Sequence, residues 1–592
     1  MSSLILSRRD LDFLLYEWLD AEALCRHPRH ADHSRETFDA VLDLCEQIAT
    51  EHFAPHNRKN DLNEPTFDGN TVTIIPEVGT ALEVFAEAGL IAAGQDYDLD
   101  GMQLPMLVEK AGFAWFLAAN VGTAAYPFLT IGNANLLLTY GTQEQIDTWV
   151  RPMMEGRYFG TMCLSEPQAG SSLADVRTRA EPREDGSYRV FGNKMWISGG
   201  DHELSENIVH LVLARTPEAP PGVKGISLFL VPKWLPESGE RNDVVLAGLN
   251  HKMGYRGTTN TLLNFGEGRH QPCGEPGAIG YPVGELHQGL SCMFHMMNEA
   301  RIGVGLGAAA LGYTGYLHAL DYARQRPQGR PVTAKDPRRP QVPIIEHPDV
   351  RRMLLAQKAW VEGGLALNLY CARLVDEERA ADGETRRQYT LLLDILTPVA
   401  KSWPSQWCLE ANNLAIQVHG GYGYTRDYNV EQFYRDNRLN PIHEGTHGIQ
   451  ALDLLGRKVV MQGGAAFSLL FGRMQCTAAQ AGALEGLSGY AAQLTAMIER
   501  LREVTGQLHG CGNPERTLAN ASLYLEAFGH IVVAWIWLEQ CLAAHGKAGA
   551  FYDGKRQAAQ FYFRHELPRV APWLDLLATL DDTTLTMSPD WF

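Results

Sequence analysis

The sequence predicts a mainly helical α+β protein built from a helical N-terminal part, a β-rich middle, a helical bundle and a further helical block. Three observations predict it. Apolar residues recur at helical spacing before residue 158 and after residue 284. Between them lie six short apolar, β-branched segments divided by turn residues. A chain of 592 residues also exceeds what one hydrophobic core supports, which requires several domains.

The first domain is expected over 1–158, with an N-terminal extension over 1–35. RETFDAVLDLCEQIATEHFAPHNRKND (35–61) carries a helical apolar stripe and ends in a polar linker. ALEVFAEAGLIAAG (81–94) closes on glycine, and 107–117 reads as another helix. Near Tyr158 the texture changes. FGTMCL, SYRVFGNKMWIS, IVHLVLAR, GISLFLVP, DVVLAGL and TLLNFG read as strands of a small antiparallel sheet or barrel over 159–283, with Asp185-Gly186 marking a hairpin. Helical periodicity returns over 284–460 in runs at 291–326, 348–381 and 386–418, interrupted by the Pro- and Arg-rich loop RPQGRPVTAKDPRRPQVP (326–343). The last domain, 461–592, shows apolar spacing at 483–505 and 517–545.

Composition narrows the function. A net charge of −18 argues against nucleic acid as a partner and against an anionic membrane surface. Ten scattered cysteines without a C-x-x-C pair suit a reducing compartment, not a disulfide scaffold or a zinc ribbon. Asp10, Asp12, Glu17 and Asp20 load the N-terminus with acid, unlike a signal or transit peptide. The longest apolar run, Ile531 to Leu538, is too short to span a bilayer. A cytoplasmic protein without stable membrane insertion is expected.

One stretch poses the chemical question. HEGTH, His443 to His447, matches the H-E-x-x-H zinc signature, which needs both histidines one turn apart on a helix. Gly445 and Thr446 form helix poorly, Asn440-Pro441 is a loop signal, and no third ligand follows at the usual spacing. No metal is expected, which leaves Glu444 unexplained. Elsewhere, TMCLSEPQAGSS (161–172) offers backbone N–H groups and hydroxyls after a strand. GNKMWISGG (192–200) puts Trp196 and Ser198 on one strand face, where a tryptophan is either core or a platform for a flat cofactor. GVGLGAAALG (303–312) lacks the Lys-Ser/Thr of a phosphate loop and reads as close helix packing. CRHPRHADH (25–33), with His27, His30 and His33, reads as an exposed inter-helix loop.

Five stretches, taken in order, resemble the acyl-CoA dehydrogenase family over residues 36–460. CLSEPQAGSS (163–172) and KMWISGG (194–200) resemble its flavin-side strands, and KMGYRGTTNT (252–261) a strand of its middle domain. QVHGGYGYTRDYNVEQFYRD (417–436) resembles its flavin diphosphate loop, and HEGTHGIQALDLLGRK (443–458) its base-bearing segment. The resemblance implies that family's fold: an N-terminal helical domain, a middle antiparallel β-barrel domain, a C-terminal four-helix bundle and, here, an extra helical domain. It implies FAD-dependent α,β-dehydrogenation of an acyl-CoA to the trans-2-enoyl-CoA, the first step of fatty acid β-oxidation, with electrons passed to electron-transfer flavoprotein.

By the same resemblance Glu444 is the catalytic base, and its backbone N–H helps polarise the thioester carbonyl. Glu299, one residue from the position where other members carry the base, is turned about 100° away on a helix. Met162, Leu164, Ser165, Trp196, Ser198 and Thr446 are implied on the flavin. Arg326, Gln417, Gly420 and Gly421 are implied on a neighbouring subunit's FAD, and Ser171, Arg301 and Gly445 on the acyl-CoA. Departures from the family pattern fall at Ser172, Pro348, His443 and Gly448.

The tail beyond 461 resembles that of larger members, the very-long-chain and 3-methylmercaptopropionyl-CoA dehydrogenases, and implies a homodimer. Medium- or long-chain acyl-CoA is the expected substrate, with 3-methylthiopropionyl-CoA as an alternative; Met293, Phe294, Met296 and Met297 are adaptable pocket fillers. An acyl-CoA oxidase is a second alternative. A DNA-binding, alkylation-response protein is a third, disfavoured because 461–592 holds nine Lys/Arg against twelve Asp/Glu.

Overall fold

The computed structural model describes residues 3–334 and 336–592, with the side chains of 295–297 (including Met296 and Met297) outside the described residues. The chain forms two compact units: Met1–Ala40, Pro105–Ala118 and Arg301–Phe592 in one, Val41–Leu104 and Ala119–Ala300 in the other.

In the second unit a two-stranded hairpin, β1 (Thr66–Phe67) and β2 (Val72–Thr73), precedes an eight-stranded sheet. Its strands are β3 (Tyr158–Cys163), β4 (Arg179–Pro182), β5 (Tyr188–Ser198), β6 (Asn207–Arg215), β7 (Ile226–Pro232), β8 (Val244–Leu249), β9 (Asn260–Phe265) and β10 (Ala278–Pro282). β10 pairs with both β7 and β5, so the ring β5–β4–β6–β7–β10 closes as a barrel. Val190, Val212, Phe229 and Val231 of the ring share one buried cluster with Leu263 and Phe265 of β9. The expected all-antiparallel pairing is corrected in two places, since β3 and β4 both run parallel to β6. Long connections separate β6 from β3 and β4, and a parallel pair requires such a crossover. The hairpin at Asp185-Gly186 joins β4 to β5 as expected, closed by Arg183 N–H to the Ser187 carbonyl at 2.9 Å.

Helices dominate the other unit. Gly289–Gln325, Pro348–Ala380 and Gly383–His419 follow the predicted runs closely, and Val430–Asn437 and His447–Asp453 follow them. The expected close packing of GVGLGAAALG holds: a Cβ on Gly305 would lie 1.8 Å from the Ala400 carbonyl, and one on Gly312 would lie 2.7 Å from Cys408 Cβ. Beyond residue 461 run Met461–Gly482, Ser488–Gly510, Ala521–Ala543, Ala550–Phe561 and Val570–Ala578. The N-terminal extension joins this block through Asp10, which pairs with Lys555 at 2.5 Å and accepts from the Tyr313 hydroxyl at 3.0 Å.

The helix predicted at 107–117 is the first part of a 35-residue run, Met106–Tyr140. Asn120 leaves helical geometry there, and its side-chain oxygen takes the Thr123 N–H at 3.1 Å, so a second helix is capped where the first stops. This run and Ala521–Ala543 are long and apolar enough to cross a membrane, yet 89% and 83% of their most apolar windows are buried inside the protein. Both are core helices. The apolar octad 531–538 is thus part of a longer apolar helix, and protein covers it. The histidine-rich stretch 25–33 is also corrected. Pro28 opens a 3₁₀ turn that buries His30, while His27 approaches Glu377 at 3.6 Å.

Candidate active site

Residues 443–446 are not helical, which removes the geometry a zinc helix requires. Glu444 has φ +53° and Gly445 φ +87°, and the helix His447–Asp453 begins only after Thr446, whose hydroxyl caps it by accepting from Ile449 N at 3.3 Å. His443 and His447 part company: His443 Nε2 meets Asn440 Oδ1 at 3.0 Å, whereas His447 Nε2 pairs with Glu526 of the C-terminal block at 3.0 Å.

A non-glycine residue in the left-handed region is strained and persists only when its surroundings over-determine it. Glu444 is held in this way. Gln450 Nε2 donates to the Glu444 carbonyl at 3.0 Å. Lys401, buried on helix Gly383–His419, donates from Nζ to the Asn440 and Gly445 carbonyls, each at 2.7 Å. Upstream, a ladder of buried amides fixes the loop root. Asn412 donates to the Leu311 carbonyl (2.9 Å), Asn437 to Asn412 Oδ1 (2.7 Å) and Asn440 to Asn437 Oδ1 (2.9 Å).

Burial pushes the Glu444 carboxyl above the usual carboxylate range, against the opposing pull of Lys401 and then Arg301. Lys401 in turn is pushed down to about 7 by burial, with Glu444 pulling it back up. Arg301 is buried beside them and spends one guanidinium nitrogen on Asp453 at 2.9 Å, while its Nε has no partner among the described residues. The arrangement is a half-buried carboxylate of raised proton affinity beside Lys401 and Arg301, the chemistry of a general base.

Three of the expected residues, Glu444, Gly445 and Arg301, therefore come together, and Thr446 adds the cap. Arg326, Gln417, Gly420 and Gly421 gather separately and are exposed, with the Arg326 guanidinium 5.7 Å from the Tyr422 ring centre. Glu299 is engaged by Asn135 Nδ2 at 3.0 Å.

In the barrel unit, the expected flavin-side residues gather where β3 ends against β5. Met195 N–H donates to the Ser165 carbonyl at 3.0 Å, and Lys194 Nζ to the Leu164 carbonyl at 3.0 Å. Lys194 also pairs with Glu166 at 2.9 Å, both fully buried. Glu166 further accepts from the backbone of Arg177 and Thr178 and from the Thr178 hydroxyl at 2.6–3.0 Å, which ties down the loop carrying Ser171. Trp196 departs from simple alternation. It sits in a β-bulge between Met195 and Ile197 with φ +65° and is 59% exposed, while Ile197 is core. Ser198 accepts from Asn260 Nδ2 at 3.4 Å, and Ser171 is exposed. A flat indole held open on a packed barrel fits a flat cofactor.

Sequence reasoning missed Lys401, Gln450, the amide ladder and the Lys194–Glu166 pair. A lone lysine in the apolar run LLLDILTPVAKSWP was the available signal, because lysine is almost never fully buried without a partner. Among the described residues no group of three or more His, Cys, Asp and Glu could hold a metal.

Three family models match the chain: the acyl-CoA dehydrogenase middle domain over 161–267, the acyl-CoA dehydrogenase C-terminal domain over 287–459, and the acetyl-CoA dehydrogenase C-terminal-like domain over 470–588. The 3-methylmercaptopropionyl-CoA dehydrogenase of Ruegeria pomeroyi is 34% identical, covering 98% of this chain and 99% of that protein. The broad-specificity linear acyl-CoA dehydrogenase FadE5 of Mycobacterium tuberculosis is also 34% identical, covering 98% of each. The solved acyl-CoA dehydrogenase of Bacillus anthracis, complexed with FAD, shares the fold with a TM-score of 0.74 at 19% identity, over 97% of this chain and 93% of that one.

Proposed function

The chain belongs to the acyl-CoA dehydrogenase family of FAD-dependent oxidoreductases, and on that premise we propose which residues serve the reaction and on what substrate. Glu444 takes the α-proton of a medium- or long-chain acyl-CoA, which is released as the trans-2-enoyl-CoA. One observation carries this: Glu444 is a half-buried carboxylate of raised proton affinity on an over-determined, left-handed backbone. Its backbone N–H polarises the thioester carbonyl as enolate charge develops. Arg301, with Nε still to be satisfied, and Gly445 border the thioester, and Ser171 meets the CoA portion.

Bound FAD would supply the acceptor for the β-hydrogen, which leaves as hydride. Met162, Leu164, Ser165, Trp196, Ser198 and Thr446 hold its ring. Arg326, Gln417, Gly420 and Gly421 hold the diphosphate of the FAD in a second subunit. Their joint exposure supports a homodimer, and a Cβ on either glycine would meet nothing within 4 Å, leaving room for a ligand to approach. Electron-transfer flavoprotein is the proposed electron acceptor. The domains proposed are 1–158, 159–283, 284–460 and 461–592.

A second reading, 3-methylthiopropionyl-CoA as substrate, is supported by the similarity to the Ruegeria pomeroyi enzyme. Anaerobic titration of the FAD-loaded protein with octanoyl-CoA and with 3-methylthiopropionyl-CoA, beside Glu444→Gln, tests both. Bleaching of the flavin band in the wild type only supports Glu444, and the faster substrate decides chain type. Equal bleaching in the variant would remove Glu444 as base, and bleaching by neither substrate would sink the substrate class.

A further inference from the structure

We propose that Lys401 is a positioning residue for the base: its ammonium joins the two carbonyls that bracket Glu444 and supplies the positive charge that keeps the carboxylate ionised. This rests on Glu444 being the base.

The chain fixes Lys401 from its own helix. Pro404 has no N–H, so the Ala400 carbonyl has no i+4 donor, and Gly305 packs against that carbonyl. The Ser405 hydroxyl donates to the Lys401 carbonyl at 2.5 Å. The side chain is thereby aimed at the loop, where both of its hydrogen-bond acceptors, at 2.7 Å, are neutral carbonyls.

Two carbonyls could be served by a neutral donor without the cost of burying an ammonium. A buried charge whose hydrogen bonds go to neutral groups has an electrostatic reason to be there, and Glu444 is the carboxylate that pulls its proton affinity up. Of the other groups facing Glu444, Arg301 from helix Gly289–Gln325 also lowers the carboxyl, second to Lys401, while its guanidinium is shared with Asp453, which also binds Arg457. His443, on the loop itself, is pushed down to about 3 by burial and then by Lys401, and so stays neutral near pH 7. His447 faces Glu526. Lys401 thus opposes the desolvation that raises the base, and it does so from the atom that holds the loop.

The test is the pH dependence of anaerobic flavin reduction in the FAD-loaded full chain, using whichever of octanoyl-CoA and 3-methylthiopropionyl-CoA reduces the wild type faster. The proteins are wild type, K401Q, K401R and E444Q, with FAD content and melting temperature measured in parallel. Removing a positive charge beside a carboxylate raises the carboxylate pKa. In K401Q the acid limb of the rate profile therefore moves up by about one unit, a tenfold loss of rate below the limb. K401R keeps the charge and so keeps the wild-type limb, with a lower rate at every pH because a guanidinium does not fit between the two carbonyls. A K401Q limb that stays in place while the rate falls equally at all pH values would overturn the proposal and leave a purely structural lysine. Should K401Q lose its FAD or fold, K401M takes its place: a limb raised by about one unit supports the charge role, and an unmoved limb overturns it, as does a raised limb in K401R. Reduction by E444Q at the wild-type rate would instead remove the base assignment itself, whatever Lys401 does.

Discussion

The base loop and the flavin-side bulge solve the same backbone problem in opposite ways. Each places a large non-glycine residue in the left-handed region, Glu444 at φ +53° and Trp196 at φ +65°. Around Glu444 the protein closes in: Lys401, Gln450 and the asparagine ladder hold its neighbours from several elements. Around Trp196 the protein stays away, and the strand ladders on either side of the bulge hold the backbone while the indole remains 59% exposed. The difference follows from the tasks. A base needs a dry carboxylate whose charge is balanced by fixed partners. A stacking platform needs bare surface, so its order must come from the main chain and from buried groups behind it, here Lys194 and Glu166.

Substitutions can break this contrast. The largest effect is expected from Glu166→Ala, which strands the Lys194 ammonium in the barrel and costs about 3–5 kcal/mol of stability, read by chemical denaturation. Burial pushes Glu166 up, but Lys194 and the Thr178 and Arg177 hydrogen bonds outweigh it and hold the carboxyl at about 2 against an ordinary 4.5. A depressed carboxylate stabilises the fold above its unfolded pKa, so this contribution is complete above pH 4.5 and fades as pH falls towards 2. Acid denaturation of the variant should lack that component.

Gly445→Ala comes next. Its Cβ would lie 2.5 Å from Gln450 Nε2 at φ +87°, and the shift of the loop should lower the flavin-reduction rate roughly 100-fold with FAD retained. Trp196→Ala should do the reverse, weakening FAD binding about tenfold while leaving the melting temperature nearly unchanged, because little protein packs on the indole. A large stability loss in Trp196→Ala would erase the distinction between the two regions. The smallest effect belongs to Gln450→Met, which removes the 3.0 Å bond to the Glu444 carbonyl; about 1 kcal/mol, or roughly fivefold in rate, is expected.

How far each region could be read in advance also differs. The helical runs at 348–381 and 386–418 match the helices Pro348–Ala380 and Gly383–His419 because a buried stripe repeats every turn and the pattern is local. GVGLGAAALG was legible as packing for a related reason, since a stripe of small residues on a helix has few other uses. Alternation put Trp196 and Ser198 on one strand face, but the bulge broke the period, and a bulge is set by the partner strand β9, which single-strand periodicity does not register.

The sequence by itself determined the order of elements, the fold class and the placing of Glu444 on a loop, because Gly445 and Thr446 forbid the helix that zinc would need. Only the tertiary structure decided what surrounds that glutamate. Lys401 lies more than forty residues before Glu444, Arg301 more than a hundred before it, and Glu526 reaches His447 from the C-terminal block. The pKa of a carboxylate depends on charges and desolvation within a few ångströms, whatever their separation along the chain, and that proximity exists only once the helices have packed.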